Sequence, residues 1–396
     1  MKILQIILCL LILTLFFDFI YIPGFNKTLK WVCLFANTCM YVYSFRFKDT
    51  LSRLIHLFCT LVLLSCINTS IFHGQIFYYS IYVSYFALGL LSYFFIQKIQ
   101  PDLQDCLKAL ASFSIIFCLC YIFQWIVYPT KFFMGAMDEF SIGETYFRMR
   151  MSCSICAYYL IFYGIYLLLS KKTLGGILVF SLGFTPAIIM GFRSLMFLTV
   201  IFILLMLVEY LRKNLFRLIF GLIISAIAIE IILQVPLVQE KIDDMMVRQE
   251  RDENFSNSDY VRYISLDYYY NNVHSVPTDP VVGSGIPFLD ANNPYTAIFK
   301  NGYSYNLYWN DLGIIGLALL LGFPAIILLS YILLRYSLQC RNKELLTLKY
   351  TILTVFVGSI FTSQELFRSG NFVVLGLMLY IYYKYQNNEN RNYYVS

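Results

Sequence analysis

Thr173-Leu-Gly-Gly-Ile-Leu-Val-Phe-Ser-Leu-Gly-Phe-Thr-Pro-Ala-Ile-Ile-Met190 is followed by Gly191-Phe-Arg193 and then by Ser194-Leu-Met-Phe-Leu-Thr-Val-Ile-Phe-Ile-Leu-Leu-Met-Leu-Val208. Arg193 is the only ionisable side chain between Lys172 and Glu209. Each flank approaches the roughly 20 residues with which a helix crosses a hydrocarbon core of about 30 Å. Sheets with open edges cannot live there, because lipid offers no partner to an unpaired N–H or C=O. The pair therefore predicts two antiparallel membrane-spanning helices turning at Arg193.

The rest of the chain repeats the pattern. Of 396 residues, 59% are apolar or aromatic and 13% are charged, against about 25% charged in soluble domains. Apolar runs are expected to span at 3–22, 29–45, 54–72, 76–96, 107–128, 151–170, 174–191, 194–211, 215–234, 310–334, 346–363 and 371–384. The fold class is thus all-α integral membrane, with about 12 transmembrane helices in a single domain over 1–396. Positive charge gathers in alternate short connections: Arg46, Lys48 and Arg53; Lys98 and Lys108; Lys171 and Lys172; Arg212, Lys213 and Arg217; Arg335, Arg341, Lys343 and Lys349. Lys384 and Arg391 follow in the tail. Cytoplasmic loops carry such an excess, so both termini are expected in the cytoplasm. The run 3–22 has no small-residue cleavage site and reads as a signal anchor.

Two outer segments interrupt the weave. Residues 129–150 end in Arg148 and Arg150. Residues 235–305 form a long loop between the ninth and tenth spans, with an amphipathic surface helix expected over 238–253 and a second helix from Ser258 through Tyr270. Pro277, Pro280, Gly283, Gly285 and Pro287 then cut the chain into turns. The net charge of +6 forms no dense basic stripe, which argues against nucleic acid. Cys153 and Cys156 make a CxxC inside an apolar run, read as helix packing ahead of redox chemistry. There is no HExxH, no DxD pair and no Walker loop, so neither a metal nor a nucleotide cofactor is expected.

Candidate functional residues are the ionisable groups at the outer edge of apolar spans, where charge is costly. Arg193 is either a snorkelling topology break or a guanidinium fork for a phosphate. Arg262, in Ser258-Asp-Tyr-Val-Arg262-Tyr, could as well be an ordinary solvated helix residue. Pro280-Val-Val-Gly283-Ser-Gly285 is a turn, since no strand precedes it. Tyr303-Ser-Tyr-Asn-Leu-Tyr-Trp309 at a span entrance is either an interfacial belt or a stacking wall for sugars. His274 is a candidate proton acceptor or a surface residue, and His56 and His73 have no evident partner.

In order, Gly191-Phe-Arg193-Ser194, Arg262 in the long loop, Pro280-Val-Val-Gly283-Ser-Gly285, and Asp311-Leu-Gly313-Ile-Ile-Gly316 entering the next span resemble the O-antigen polymerase and ligase superfamily of bacterial polysaccharide assembly. The resemblance covers 185–330; the N-terminal half matches only as a hydrophobic bundle. It implies a metal-independent, inverting glycosyltransferase of the bacterial inner membrane with its active site facing the periplasm. The donor would be a glycan on undecaprenyl diphosphate, and the partners the lipid bilayer, a chain-length regulator and a flippase. Arg193 and Arg262 match the family's two arginine positions and would stabilise charge on the leaving diphosphate. Arg148, Arg150, Arg368 and Tyr303 would help bind substrate, and His274, Asp259 or Asp290 could take a proton. Ligases of this family carry a His about ten residues before Gly-x-x-Gly. Here that stretch reads Asn301-Gly-Tyr303, which favours a polymerase over a ligase. A flippase for the same lipid is the competing class; it should line its spans with cations, whereas these are almost free of charge apart from Glu209 and Glu230.

Overall fold

The computed structural model describes residues 1–18, 26–45, 49–128, 130, 132–133, 137–139, 148–191, 193–211, 234, 239, 261–339, 342–361 and 365–395. Helices dominate. In chain order they are α1 (Lys2–Leu13), α2 (Leu15–Asp18), α3 (Asn26–Ser44), α4 (Thr50–Phe72), α5 (Phe77–Ser84), a 3₁₀ turn (Ala87–Leu91), α6 (Ser92–Ile99) and α7 (Leu103–Ile126). After a small ribbon come α8 (Ile155–Leu169), α9 (Thr173–Met190), α10 (Arg193–Leu211), α11 (Val261–Val273), α12 (Asp279–Val282) and α13 (Pro294–Ser304). A 3₁₀ turn (Trp309–Leu312) leads into α14 (Gly313–Leu321), α15 (Phe323–Leu338), α16 (Leu346–Phe361) and α17 (Asn371–Val395). The ribbon pairs β1 (Met137–Glu139) antiparallel with β2 (Arg148–Arg150), Asp138 facing Met149.

Four of these helices, α4, α7, α9 and α10, are long and apolar enough to cross a membrane, and the number reaches six if two bent pairs each count as one span. The chain is thus a helical protein of membrane-spanning character. The helices at the expected spans 29–45, 151–170, 346–363 and 371–384 are not among these, and three further expected spans differ in detail. The run 3–22 is broken after the 12 residues of α1, where Leu15 and Phe16 adopt φ of 56° and 50°, and α2 follows; 19–22 lie outside the described residues. The run 76–96 bends by 66° between α5 and the following 3₁₀ turn. The run 310–334 breaks at Gly322, where α14 and α15 meet at 120°. The expected span 215–234, apart from Gln234, and the surface helix 238–253, apart from Gln239, lie outside the described residues.

Local chemistry explains several boundaries. Asp49 caps α4: its carboxylate accepts from the Ser52 amide at 2.7 Å, and from Gln97 Nε2 at 2.9 Å. Asn293 caps α13 through the Thr296 amide at 2.7 Å, with Pro294 at the first helical position. The helix expected from Ser258 to Tyr270 is described as α11 over Val261–Val273; its expected cap, Ser258, lies outside the described residues.

Small residues set the packing. A Cβ on Gly164 would lie 2.6 Å from the Phe180 nitrogen, and one on Gly183 would lie 2.7 Å from the Ala157 oxygen. Glycine there lets α8 and α9 pack backbone to backbone as an antiparallel pair. The α17 segment from Phe372 to Tyr382 is buried throughout and is the axle of the bundle; Ser92 Oγ donates to its Val373 carbonyl at 2.9 Å. α10 and α16 run antiparallel. At one end Glu209 takes Lys349 Nζ and the Tyr350 hydroxyl, each at 2.6 Å. At the other, Leu195 fills the space beside Gly358. That second end, on which residues 261–312 fold, is called the loop end below.

Candidate functional site at the loop end

Two polar centres occupy the loop end. The first explains the break at Gly322. A helix that stops leaves its last carbonyls without partners, and at membrane depth these must be met from elsewhere. Gly285 N donates to the Leu320 carbonyl at 2.7 Å and Ser284 N to that of Leu319 at 3.3 Å. Ser65 Oγ, from α4, adds a second bond to Leu320 at 2.7 Å. The Gly283-Ser-Gly285 strip must lie against Leu321 and Gly322, where Gly283, at φ 88°, has no room for a side chain. So the glycine pattern is a seat for a broken helix; Pro280-Val-Val, expected as part of a turn, lies in α12, and Gly283-Ser-Gly285 runs on from the end of that helix.

The strip is held by the last turns of α4. Asn68 Nδ2 donates to the Gly283 carbonyl and to Asp279 Oδ1, both at 2.8 Å. His73 Nε2 meets the same Asp279 oxygen at 2.9 Å, and the Val276 amide donates to Oδ2 at 2.9 Å. Asp279 is fully buried. Burial alone would push its carboxyl up; the His73 and Val276 hydrogen bonds, the charge of His73 and the Asn68 amide outweigh it and hold the carboxyl below the ordinary carboxylate value. Gln75 clasps the strip further on, donating to the Ile286 carbonyl and accepting from the Phe288 amide. His73, which had no evident partner in the sequence, is thus paired with an aspartate 206 positions away. His56 likewise meets Tyr41, Nδ1 to hydroxyl at 2.8 Å.

The second centre lies between α8, α16 and α17. Glu365 is fully buried and forms an ion pair with Arg368, Oε2 to Nε at 2.8 Å. The turn carrying them is clamped by its backbone: Leu366 N donates to Ser359 Oγ at 2.9 Å, and Cys153 N to the Ser369 carbonyl at 2.9 Å. Asn371 donates to the Glu365 carbonyl and accepts from the Ile155 amide at 3.1 Å. The Tyr158 hydroxyl, buried close by, has no hydrogen-bond partner among the described residues.

Several sequence candidates gather at this corner by their backbones. Arg193 opens α10 two residues before Leu195, which touches Gly358, one residue from the Ser359 that holds the 365–370 turn. Its side chain lies outside what is described. Arg148 and Arg150 form the ends of β2, whose Met149 carbonyl accepts from Tyr121, and Cys153 just beyond carries the bond to Ser369. Gly313 rests on the Ser359 and Ile360 carbonyls, bringing the start of α14 to the same place.

Arg262 and Tyr303 belong to the adjoining layer. Arg262 is exposed on α11. Further along that helix, Tyr269 donates to the Leu307 carbonyl at 2.8 Å. The Tyr303 hydroxyl accepts from Trp309 Nε1 at 2.9 Å, and burial pushes it up to about 12. Tyr305 and Tyr308 stand exposed beside it. His274 is half-buried against the Leu319 carbonyl at 3.3 Å, with Nδ1 buried and without a partner among the described residues. Asp290 is exposed, and Asp259 lies outside the described residues.

Sequence reading missed Glu365. Its signal was an acid three positions before Arg368 in the short link between two apolar runs, Glu365-Leu-Phe-Arg368. Among the described residues no group of three or more His, Cys, Asp or Glu is placed to hold a metal ion. The CxxC cysteines are both buried free thiols. A scan against family models and a search of curated proteins find no match to this chain.

Proposed function

We propose that the protein is a membrane glycosyltransferase of polysaccharide assembly, a polymerase that moves a glycan from undecaprenyl diphosphate to the non-reducing end of another lipid-linked repeat unit. The reaction inverts the anomeric centre and uses arginine in place of a metal. The bundle has about 12 spans, lies in the bacterial inner membrane with both termini in the cytoplasm, and works at its periplasmic face.

What supports the reading is the meeting of three arginine-bearing segments, β2, the start of α10 and the 365–370 turn, at one corner of the loop end. A departing diphosphate gains negative charge as the glycosidic bond breaks, and fixed guanidinium groups are suited to meet it through paired N–H donors. The exposed Tyr305 and Tyr308 supply ring faces of the kind sugars stack on. The opposite end, where Lys2 reaches the Gln100 carbonyl and Lys349 pairs with Glu209, collects the lysines that orient a protein by its cytoplasmic side.

Arg193→Ala is expected to abolish long polymer while the protein still inserts and single repeats accumulate. Arg193→Lys is expected to be nearly as inactive, since a point charge lacks the planar fork. Lipid-linked glycans resolved on a gel from a knockout and its complemented strains test this. Collapse of the ladder to one repeat supports the polymerase; intact free polymer that fails to reach its lipid core points to a ligase; repeats held on the cytoplasmic leaflet point to a flippase. Polymer of normal length from Arg193→Ala would end the assignment.

A further inference from the structure

Glu365 is the least satisfied charge among the described residues. Both its carboxylate oxygens are buried and have no hydrogen-bond partner among the described residues, and its sole described contact to charge is the Arg368 guanidinium, 2.8 Å away but not aligned for a hydrogen bond. The Tyr158 hydroxyl, within electrostatic reach of both charges, is buried and unbonded as well. Poor packing does not explain this, because the Leu366 amide and the Glu365 and Ser369 carbonyls are held by Ser359, Asn371 and Cys153. A buried polar group left unmatched beside so well matched a backbone marks a place for a missing donor. A hydroxyl would supply that donor. Arg368 is the more exposed member of the pair, its side chain 11% exposed against 0% for Glu365.

We propose that Glu365 is the proton acceptor for the attacking sugar hydroxyl, and that Arg368 keeps it neutralised until a lipid diphosphate draws the guanidinium away. This deepens the glycosyltransferase reading and rests on it. In the step, the acceptor oxygen bonds to the anomeric carbon of the donor, and the carbon–oxygen bond to the diphosphate breaks with its electron pair going to the diphosphate. The hydroxyl proton passes to the Glu365 carboxylate and later to water. Arg368 moves from one anion to another, so the buried carboxylate becomes a base only when a donor is present. Such coupling guards the lipid-linked sugar against idle attack by water.

The test uses the full chain in nanodiscs. In a first measurement, undecaprenyl diphosphate alone is added to the wild type and the infrared carboxylate bands are recorded; Glu365→Gln identifies the Glu365 band. A shift of that band on binding is expected, and binding without any shift overturns the release of Glu365 by Arg368. In a second, transfer is followed with lipid-linked repeat units. Glu365→Gln is expected to lower kcat about 100-fold or more with donor KM little changed, and Glu365→Asp to recover part of the loss. Arg368→Ala is expected to raise donor KM. A Glu365→Gln enzyme that turns over at the wild-type rate while Arg193→Ala is dead overturns the proposal and leaves the glycosyltransferase intact. A wild type that neither binds the lipid nor transfers sugar overturns the functional reading, and Glu365 falls with it.

Discussion

Asp279 shows how a single buried carboxylate organises the loop end. It takes hydrogen bonds from Asn68, His73 and the Val276 amide, so its loss strands three donors together. Asp279→Ala is expected to cost about 3 kcal/mol, read as a lowered midpoint of thermal unfolding in detergent. Acid should do the same reversibly. A folded carboxyl held below its unfolded value of about 4 contributes stability that is complete above that pH and fades as pH falls through the folded value. Wild type should therefore lose thermal stability below about pH 4, and Asp279→Asn should lose less over that window. Equal losses in both would discount the pair. None of this was legible locally: His73 and Asp279 sit in separate turns, and only the tertiary fold brings them together. Glu365 was overlooked for a related reason. In the sequence an acid between two spans looks solvated, and only its burial beside Tyr158 makes it unusual. The cap at Asn293, by contrast, is written in the dipeptide Asn293-Pro294 and was open to reading.

At the scale of elements, membrane-spanning character was legible at four of the expected runs. Helices α4, α7, α9 and α10 fall within a few residues of their expected limits, because uninterrupted apolar composition and helix length carry the same information. Bends were not legible. The stretch 310–334 reads as one span; what breaks it is Gly322 at φ 85° together with a strip of backbone arriving from Gly283-Ser-Gly285. Gly283→Ala is expected to destabilise the protein by about 1–3 kcal/mol, from a strained backbone and a Cβ pressed against Leu321. Ala substituted at Gly175, which has open space around it, should cost little in the same assay. Gly183→Leu should fare worst of the three, since α9 would have to leave α8 to make room.

For the whole molecule, orientation is the property that composition argues most directly, and reporters inserted into short connections check it. Insertions at 100–101 and 171–172 are expected to report the cytoplasm, and those at 74–75 and 289–292 the opposite side. Agreement between the two sets would discard the orientation. The axle position of α17 carries a further consequence. Its buried face from Phe372 to Tyr382 completes the packing of helices made hundreds of residues earlier, among them the segment around Ser92. During synthesis those helices enter the bilayer before their central partner exists, and must wait there as a loose raft around an absent hub. The ribosome thus delivers the keystone late, and a chain stalled before residue 371 would present its unclosed ring to the membrane's proteases.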